Sequence, residues 1–423
     1  MKKTEMTDKN SHRNNPPAGR KSWSAALVFI VLFGVISLFS DMTHEGADSI
    51  RGAYLAALGA SAGTIGFISG LGEMVGYSLR YIFGKLSDRT GKYWLMTIFG
   101  YVIDVLCVPA LALVGRHGWI AACVLLVIQR MGKSIKKPSK DTIMSFAATQ
   151  EGVGKSFGIQ EVLDQIGAFL GPVFLYLILL FQTKGSLFQR YRLCFAMLAI
   201  PGALTLIFLL FTRLKFPNPE KFEPEPAHEE PFHMKRSFRI YIMGISCFAF
   251  GFIDYSLIAM HVSKVYIAVS HAAMSQSELP LLYALAMLVD AIAALIFGLW
   301  YDRKGVQVLI WSTILSAPFP IFVFGAHSMP ALIFGVMLWG IGMGAQESIM
   351  KSVIAVIVPK SSRASGYGIF ECSFGIFWFL GSWLMGTLYD FSMPLMITIS
   401  VAAQLASTPF YLYLGRTQKE KRL

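Results

Sequence analysis

The feature that most restricts the fold of this sequence is a long series of apolar runs separated by short polar stretches. A helix that crosses a bilayer needs about 20 consecutive apolar residues. Runs near that length recur along the chain, and we number them as predicted spans 1 to 12: residues 23–40, 64–83, 94–114, 119–133, 157–181, 191–211, 238–262, 279–300, 306–324, 331–350, 366–389 and 394–414. Only 15% of the residues are charged, whereas soluble domains carry about 25%. The sequence therefore predicts an all-α integral membrane protein with about twelve transmembrane helices.

A short, charged stretch bounded by glycines lies between predicted spans 2 and 3 and recurs between spans 8 and 9. We interpret both copies as turns, and their members are Gly84, Asp88, Arg89 and Gly91 in the first copy and Asp302, Arg303 and Gly305 in the second. Equivalent positions are 214 residues apart, since 302 − 88 and 305 − 91 both equal 214. Two copies in register indicate a duplicated chain. Because each half contains an even number of spans, the two six-helix bundles lie in the same orientation, as in transporters built from parallel repeats.

The distribution of charge predicts how the chain is arranged in the membrane. A formal net charge of +12 would suit nucleic acid, but the basic residues lie in alternating loops, which is typical of the cytoplasmic side of a membrane protein. We interpret the lysines from Lys133 to Lys140 as charge of one such loop. The predicted units are a cytoplasmic tail, a first bundle, a cytoplasmic linker, a second bundle and a second tail, at residues 1–22, 23–211, 212–237, 238–415 and 416–423. Both termini then face the cytoplasm, in an inner or plasma membrane, with no nucleic-acid partner.

The repeated stretch is similar to a motif of a known family. Gly84-x-Leu86-x-Asp88-Arg89-x-Gly91 resembles the cytoplasmic motif of the major facilitator superfamily, and the second copy resembles its degenerate repeat. The resemblance covers nearly the whole chain outside the tails and the linker. It implies two bundles with pseudo-two-fold symmetry that alternately expose a central site, with the two copies of the motif as a cytoplasmic gate. We expect a monomer.

Predicted span 5 carries a second pattern, Gly158, Gly167, Gly171 and Pro172. It is similar to the motif of proton-driven exporters in that superfamily, so the resemblance implies export. Physically, the pattern is a face of small residues on which another helix can approach closely, followed by a proline that bends the helix. The alternative interpretation is therefore a packing face with no bearing on the direction of transport.

Charged residues inside membrane spans are costly and usually face a cavity or a partner. In the superfamily fold, spans 1, 4, 7 and 10 line the central cavity, and this implies a substrate and proton pathway formed by Asp41, Glu45, Arg130, Asp254, His261, Gln346 and Glu347. We regard Glu347 as the strongest candidate. Asp41 and Glu45 have an alternative position at the outer mouth of the first span, and His261 has an alternative role in packing. We assign structural roles to the other intramembrane charges, Glu73, Arg80, Asp104, Glu161 and Glu371.

These features together predict a secondary active transporter of a small solute, with protons as the coupling ion and export as the direction. The first alternative is a proton symporter that imports a small nutrient or an organic acid. The second is a membrane receptor or scaffold that transports nothing. We expect neither an enzyme nor a bound cofactor or metal ion, because no zinc motif, nucleophile arrangement or nucleotide-binding loop is present. The candidate cavity residues carry both signs of charge, so the sequence does not indicate a substrate.

Overall fold

The computed structural model describes residues 24–151, 153–182, 184–222, 235–269, 274–357 and 363–420. Within these ranges the chain forms helices and no strand, so the predicted all-α architecture is confirmed. The α-helices, in chain order, are α1 (Ala25–Ala57), α2 (Ala62–Thr90), α3 (Tyr93–Ala110), α4 (Trp119–Glu151), α5 (Val153–Phe181), α6 (Leu187–Met197), α7 (Ala199–Lys215), α8 (Arg236–Gly251), α9 (Tyr255–Val262), α10 (Leu279–Lys304), α11 (Gln307–Ser316), α12 (Met329–Ile357), α13 (Arg363–Phe391), α14 (Met393–Leu405) and α15 (Thr408–Glu420). The predicted tail at 1–22 lies outside the described residues, as do positions 223–234 of the linker and 421–423 of the second tail.

Ten of the described segments are long and apolar enough to cross a membrane. The helices α2 and α4 are also long, with 29 and 33 residues, but they carry more charge. Several predicted spans consist of two helical pieces: α6 with α7, α8 with α9, and α14 with α15. Predicted span 9 consists of α11 followed by a π-helical turn at Ile321–Gly325. These units account for the twelve predicted spans.

The repeated charged stretches, which the sequence predicts as turns, are mostly helical. Residues 84–90 form the last two turns of α2, and α10 continues to Lys304. Each helix then ends at a glycine with positive φ, +62° at Gly91 and +63° at Gly305. Glycine adopts this backbone conformation without the strain that a Cβ would cause. The prediction of two extended turns is therefore wrong in extent, because only the capping glycine leaves the helix. The side chains of Asp88 and Asp302 lie outside the described part of the structure.

The predicted boundary of span 4 is also wrong. Helix α4 does not end at Lys133 but continues to Glu151. Lys136 and Lys140 are buried, with 7% and 6% of their surface exposed, so they are not charges of a loop. They are buried because neighbouring helices supply polar partners: Asp104 pairs with Lys136, and the Ser37 hydroxyl lies 2.5 Å from Lys140 Nζ.

Helix α1 is continuous through its acidic stretch. Asp41 lies sixteen residues after the first residue of α1 (41 − 25), or about 24 Å along the helix at 1.5 Å per residue. The acidic stretch therefore begins at the middle of α1 and not at the end of the helix. A different span is broken: between α8 and α9 the backbone is non-helical, and Asp254 accepts a 2.8 Å hydrogen bond from Ser256 N as the N-cap of α9.

The helices α1–α7 form a first half and α8–α15 a second half. We call the end of the molecule at which α1 begins and α15 ends the terminal face. There, Ser24 at the start of α1 donates a hydrogen bond to Glu151 at the end of α4. At the opposite face, Gly63 N donates a 3.3 Å hydrogen bond to Asp390 of the second half. The halves meet where α2 packs along α13, α5 packs against α10, and α1 packs against α9.

Candidate functional site

A cavity of about 370 Å³ lies between the two halves. Toward the terminal face it is lined by Lys137, which is 35% exposed, and by the exposed Glu161. At its other end it is lined by Arg51, which is only 5% exposed. Next to Arg51 the backbones of α1 and α9 touch, because a methyl group on Gly52 would overlap the carbonyl of Ser256. The cavity is therefore open toward the terminal face and closed toward the opposite face.

The wall formed by the first half is charged. Basic residues lie on one face of α4 with spacings of three and four residues, at Arg130, Lys133, Lys137 and Lys140. Acidic residues line the cavity from α1 with similar spacing, at Asp41, Glu45 and Asp48. Such spacing places side chains on one side of a helix. A basic face of α4 and an acidic face of α1 therefore border the same space.

A network of ion pairs forms the closed end of the cavity. Arg130 lies 2.7 Å from Glu73 and 3.4 Å from Asp48. Asp48 also pairs with Arg51 at 2.6 Å. Arg51 reaches the second half, where it lies 3.6 Å from Asp254 and donates a 2.9 Å hydrogen bond to the Ser256 hydroxyl. Charges of the first half thus help to hold the halves together at the opposite face.

Behind the charged wall, Asp104 lies in a fully buried polar cluster. Its side chain has no exposed surface. It forms an ion pair with Lys136 and accepts a 2.8 Å hydrogen bond from the side-chain amide of Gln129. The ring of His44 lies 2.7 Å from the same carboxylate. The Lys136 ammonium also donates a 2.9 Å hydrogen bond to Ser40 Oγ. Since Lys136 and Ser40 line the cavity, the cluster connects Asp104 with the open space.

The wall formed by the second half has a different character. Its rings pack in two groups: the centroid of Tyr255 lies 4.3 Å from that of Tyr283 and 5.3 Å from that of Trp339, and the centroid of Phe374 lies 5.3 Å from that of Trp378. These five residues line the cavity. The described lining residues of the second half include acids but no lysine or arginine. The cavity therefore has one charged wall and one aromatic wall.

Gln346 stands out on the aromatic wall because it is only 2% exposed and neither its amide nitrogen nor its amide oxygen is hydrogen-bonded to a described residue. The Tyr255 hydroxyl and the Trp378 indole nitrogen share this property. By contrast, the indole nitrogen of Trp339 donates a 2.9 Å hydrogen bond to Ile253 O. Buried polar groups are nearly always paired, so these three side chains carry unfilled hydrogen-bonding capacity within the wall of the cavity.

The predicted pathway residues are only partly brought together. The structure places Asp41, Glu45, Arg130, Asp254 and Gln346 on the cavity. His261 does not line it, because its ring packs at the opposite face on Phe324 and lies 2.9 Å from the Tyr389 hydroxyl. Glu347 lies in α12, but its side chain is outside the described part.

The charged residues to which we assigned structural roles occupy two kinds of position. Asp104 is buried in its cluster, whereas Glu73, Arg80, Glu161 and Glu371 line the cavity. Arg80 and Glu371 form a 3.3 Å ion pair between α2 and α13. This pair connects the halves nearer the terminal face than the Arg51 network does.

The glycine pattern of α5 is largely a packing face. Methyl groups on Gly167 and Gly171 would overlap the backbone oxygens of Leu38 and Met42, so α5 and α1 are in close contact there. A methyl group at Gly158 would meet no atom within 4 Å. Pro172 lies inside α5 without ending it.

Sequence reasoning missed the buried lysines of α4, His44 and the aromatic wall. The spacing of Arg130, Lys133, Lys137 and Lys140 is the signal that could have found the lysines, since a loop has no reason to keep a helical period. The aromatic residues carry no comparable signal, because phenylalanine and tryptophan are equally suited to lipid-facing and core positions.

Comparison with known proteins agrees with this architecture. The family model described as Major Facilitator Superfamily matches residues 22–271 and 245–423. An uncharacterised protein of Mycobacterium tuberculosis is 34% identical over 383 residues, covering 89% of this chain and 90% of the relative. An uncharacterised transporter of the same type from Methanocaldococcus jannaschii is 25% identical over 375 residues, covering 86% of this chain and 89% of the relative.

Solved structures share the fold at low sequence identity. A bacterial homologue of the human lysosomal transporter Spinster, in an inward-facing and unoccupied conformation, matches with a TM-score of 0.70 and 14% identity, covering 94% of this chain and 98% of that one. The nucleoside transporter NupG matches with a TM-score of 0.66 and 13% identity, covering 92% of this chain and 98% of that one. A D-xylose-proton symporter matches with a TM-score of 0.65 and 13% identity, covering 91% of this chain and 96% of that one. At these identities the likeness concerns the fold alone.

Proposed function

The chain belongs to the Major Facilitator Superfamily and is a multi-pass membrane transporter, and on that premise we propose that it exports a small solute in exchange for protons. The observation that carries the proposal is the cavity between the halves, which is open at one face, closed at the other and lined with charge. Such a cavity is what a transporter needs at the interface of two repeats that rock against each other.

The moving units are the bundles at 23–211 and 238–415. In the structure, the Arg51 network and the contact of Gly52 with Ser256 close the opposite face. Opening that face requires these contacts to separate while the terminal face closes. The capped ends of α2 and α10, with Asp88 and Asp302, then act as the gate at the terminal face.

Proton coupling rests on the acids of the cavity. Among the described residues, Asp41 and Glu45 line the cavity without forming an ion pair, unlike Asp48. A carboxyl group without a bound cation can accept and release a proton with little rearrangement of its surroundings. One proton moving through 100 mV supplies about 2.3 kcal/mol, which sustains a solute gradient of about 50-fold. Glu347 in α12 belongs to the same proposed pathway.

The direction rests on the resemblance of the α5 pattern to that of proton-driven exporters, and import by proton symport is the alternative. We place both termini in the cytoplasm of an inner or plasma membrane, in agreement with the distribution of basic residues. The cavity in this structure then opens to the cytoplasm, where an exporter collects its substrate.

Uptake by vesicles from a mixture of candidate solutes tests this proposal and identifies the substrate at the same time. Protein-containing vesicles are incubated in a cell extract with a pH gradient of either sign, and the trapped solutes are identified by mass spectrometry. An exchanger accumulates its solute when the lumen is acidic, and a symporter does so when the outside is acidic, in either orientation of the protein. Protein-free vesicles and a protonophore are the controls. Accumulation that ignores the pH gradient would contradict proton coupling.

A further inference from the structure

We propose that the cavity binds an uncharged, planar heteroaromatic solute whose edge carries both a hydrogen-bond donor and an acceptor. The ring lies against the aromatic wall of the second half, and the edge meets the amide of Gln346. This inference names the substrate class of the transporter proposed above and rests on that function only for the claim that the solute is moved.

The aromatic wall supplies the surface for a flat ring. Tyr255, Tyr283 and Trp339 pack together at centroid distances of 4.3 to 6.3 Å, and Trp378 continues the wall from α13. Aromatic rings favour offset-stacked or edge-to-face contact with other rings at such distances. A cavity of about 370 Å³ is at the small end of the range for ligand pockets, about 300–1,000 Å³. It therefore suits one compact solute.

Gln346 supplies the specificity for the edge of the ring. A glutamine amide carries an acceptor oxygen and two donor hydrogens, and both ends of this amide are buried without a described partner. A solute that presents one donor beside one acceptor pairs both ends at once. Glutamine recognises adenine in this way, with two parallel hydrogen bonds to one edge of the ring. The Tyr255 hydroxyl and the Trp378 indole nitrogen offer further partners.

The absence of charge on the edge of the solute follows from the charges of the second-half wall that this edge meets. Arg51 pairs with Asp48 and Asp254, and Arg80 pairs with Glu371. Two acids of the second-half wall, Asp254 and Glu371, are therefore already engaged by cations. Asp290, the third, accepts a 3.4 Å hydrogen bond from Gln165. The groups of Gln346, Tyr255 and Trp378 that have no described partner are neutral, so a neutral edge suits them best.

Binding to the purified full-length protein in detergent tests the inference without a gradient. The probes are adenine and nicotinamide, which have the required edge, together with nicotinate, which has the nicotinamide ring and a negative charge, and benzylamine, which is a cation. We expect adenine and nicotinamide to quench tryptophan fluorescence saturably and to raise the melting temperature. Nicotinate and benzylamine should do neither. Binding of a charged probe in preference to both neutral ones would overturn the inference.

Substitutions locate the binding. Gln346→Leu should weaken binding of the neutral probes by about 10- to 100-fold, as expected for loss of paired buried hydrogen bonds. If that variant does not fold, Gln346→Asn shortens the side chain while keeping the amide and should weaken binding in the same direction. Trp378→Phe should reduce the quenching, whereas Trp311→Phe, at a position 57% exposed and away from the cavity, should leave it unchanged. Unaltered affinity in both Gln346 variants would also overturn the inference.

The outcomes separate this inference from the proposed function. If adenine or nicotinamide binds but vesicles show no coupling to pH, the proton-coupled function fails and the substrate class stands. If vesicles show pH-driven transport of a charged or non-aromatic solute while the neutral rings do not bind, the function stands and the substrate class fails.

Discussion

Tyr283 of the second half donates a 2.5 Å hydrogen bond to Glu45 of the first half. The two residues are 238 positions apart in the chain, and both line the cavity. The bond therefore joins α10 to α1 across the interface that has to separate when the opposite face opens. It also occupies one of the acids that we assign to the proton pathway, so protonation of Glu45 and separation of the halves are physically connected.

Removal of this bond should favour opening of the opposite face. A hydrogen bond to a charged group contributes about 1.5–3 kcal/mol, so Tyr283→Phe should raise the population open at that face by about tenfold or more. Spin labels at Ser61 and Phe391, near the adjacent ends of α2 and α13, report the separation of the halves. Tyr389→Phe is the matched control, because its hydroxyl bonds to His261 within the second half. Equal distance distributions in both variants would contradict this prediction.

The pair of Lys136 with Asp104 should contribute strongly to the stability of the fold. Loss of one partner from a buried ion pair costs about 3–5 kcal/mol, because the other charge is left uncompensated. We expect Lys136→Met to lower the melting temperature strongly and the double variant Lys136→Met/Asp104→Asn to recover much of the loss. Thermal unfolding in detergent measures both. Lys92→Met, at an exposed position, should have almost no effect; a loss as large as that of Lys136→Met would indicate that charge alone is responsible.

Asp41 should couple transport to the pH gradient. Asp41→Asn keeps the size of the side chain but removes the proton-binding group from the cavity. We expect the variant to lose pH-driven accumulation while it still exchanges solute across the membrane without a gradient. The comparison variant is Asp141→Asn, whose carboxylate lies 3.6 Å from Lys137 and is 39% exposed. Normal pH-driven accumulation by Asp41→Asn would remove Asp41 from the pathway.

Substitutions can show whether the glycines of α5 serve only helix packing or also the direction of transport. Gly171→Ala should destabilise the protein by about 1–3 kcal/mol, because the added methyl group forces α5 away from α1. Gly158→Ala should instead be neutral or stabilising by about 1 kcal/mol, since the site is open and alanine favours the helix. Thermal unfolding and vesicle transport are measured for both. A variant that keeps its stability but loses only pH-driven export would show that the pattern has a directional role beyond packing.

Several errors in the sequence interpretation have one physical cause. Lys136 and Lys140 resemble loop charges in the sequence because a polar face of a helix is indistinguishable from a loop when its partners are unknown. Those partners, Asp104 and Ser37, come from α3 and α1 and are 32 and 103 residues away. The same reasoning applies to His261, whose span places it at the cavity but whose ring instead packs beside Tyr389.

The sequence by itself determined the class of fold and the duplication. The thickness of a bilayer imposes a length on every spanning helix, and a repeat in register is visible without any structure. The tertiary structure alone decided which charges meet and which rings face the cavity. The side chains of Glu45 and Tyr283, or of Gln346 and Trp378, acquire a shared role only when helices distant in sequence are packed together, and no local pattern records that packing.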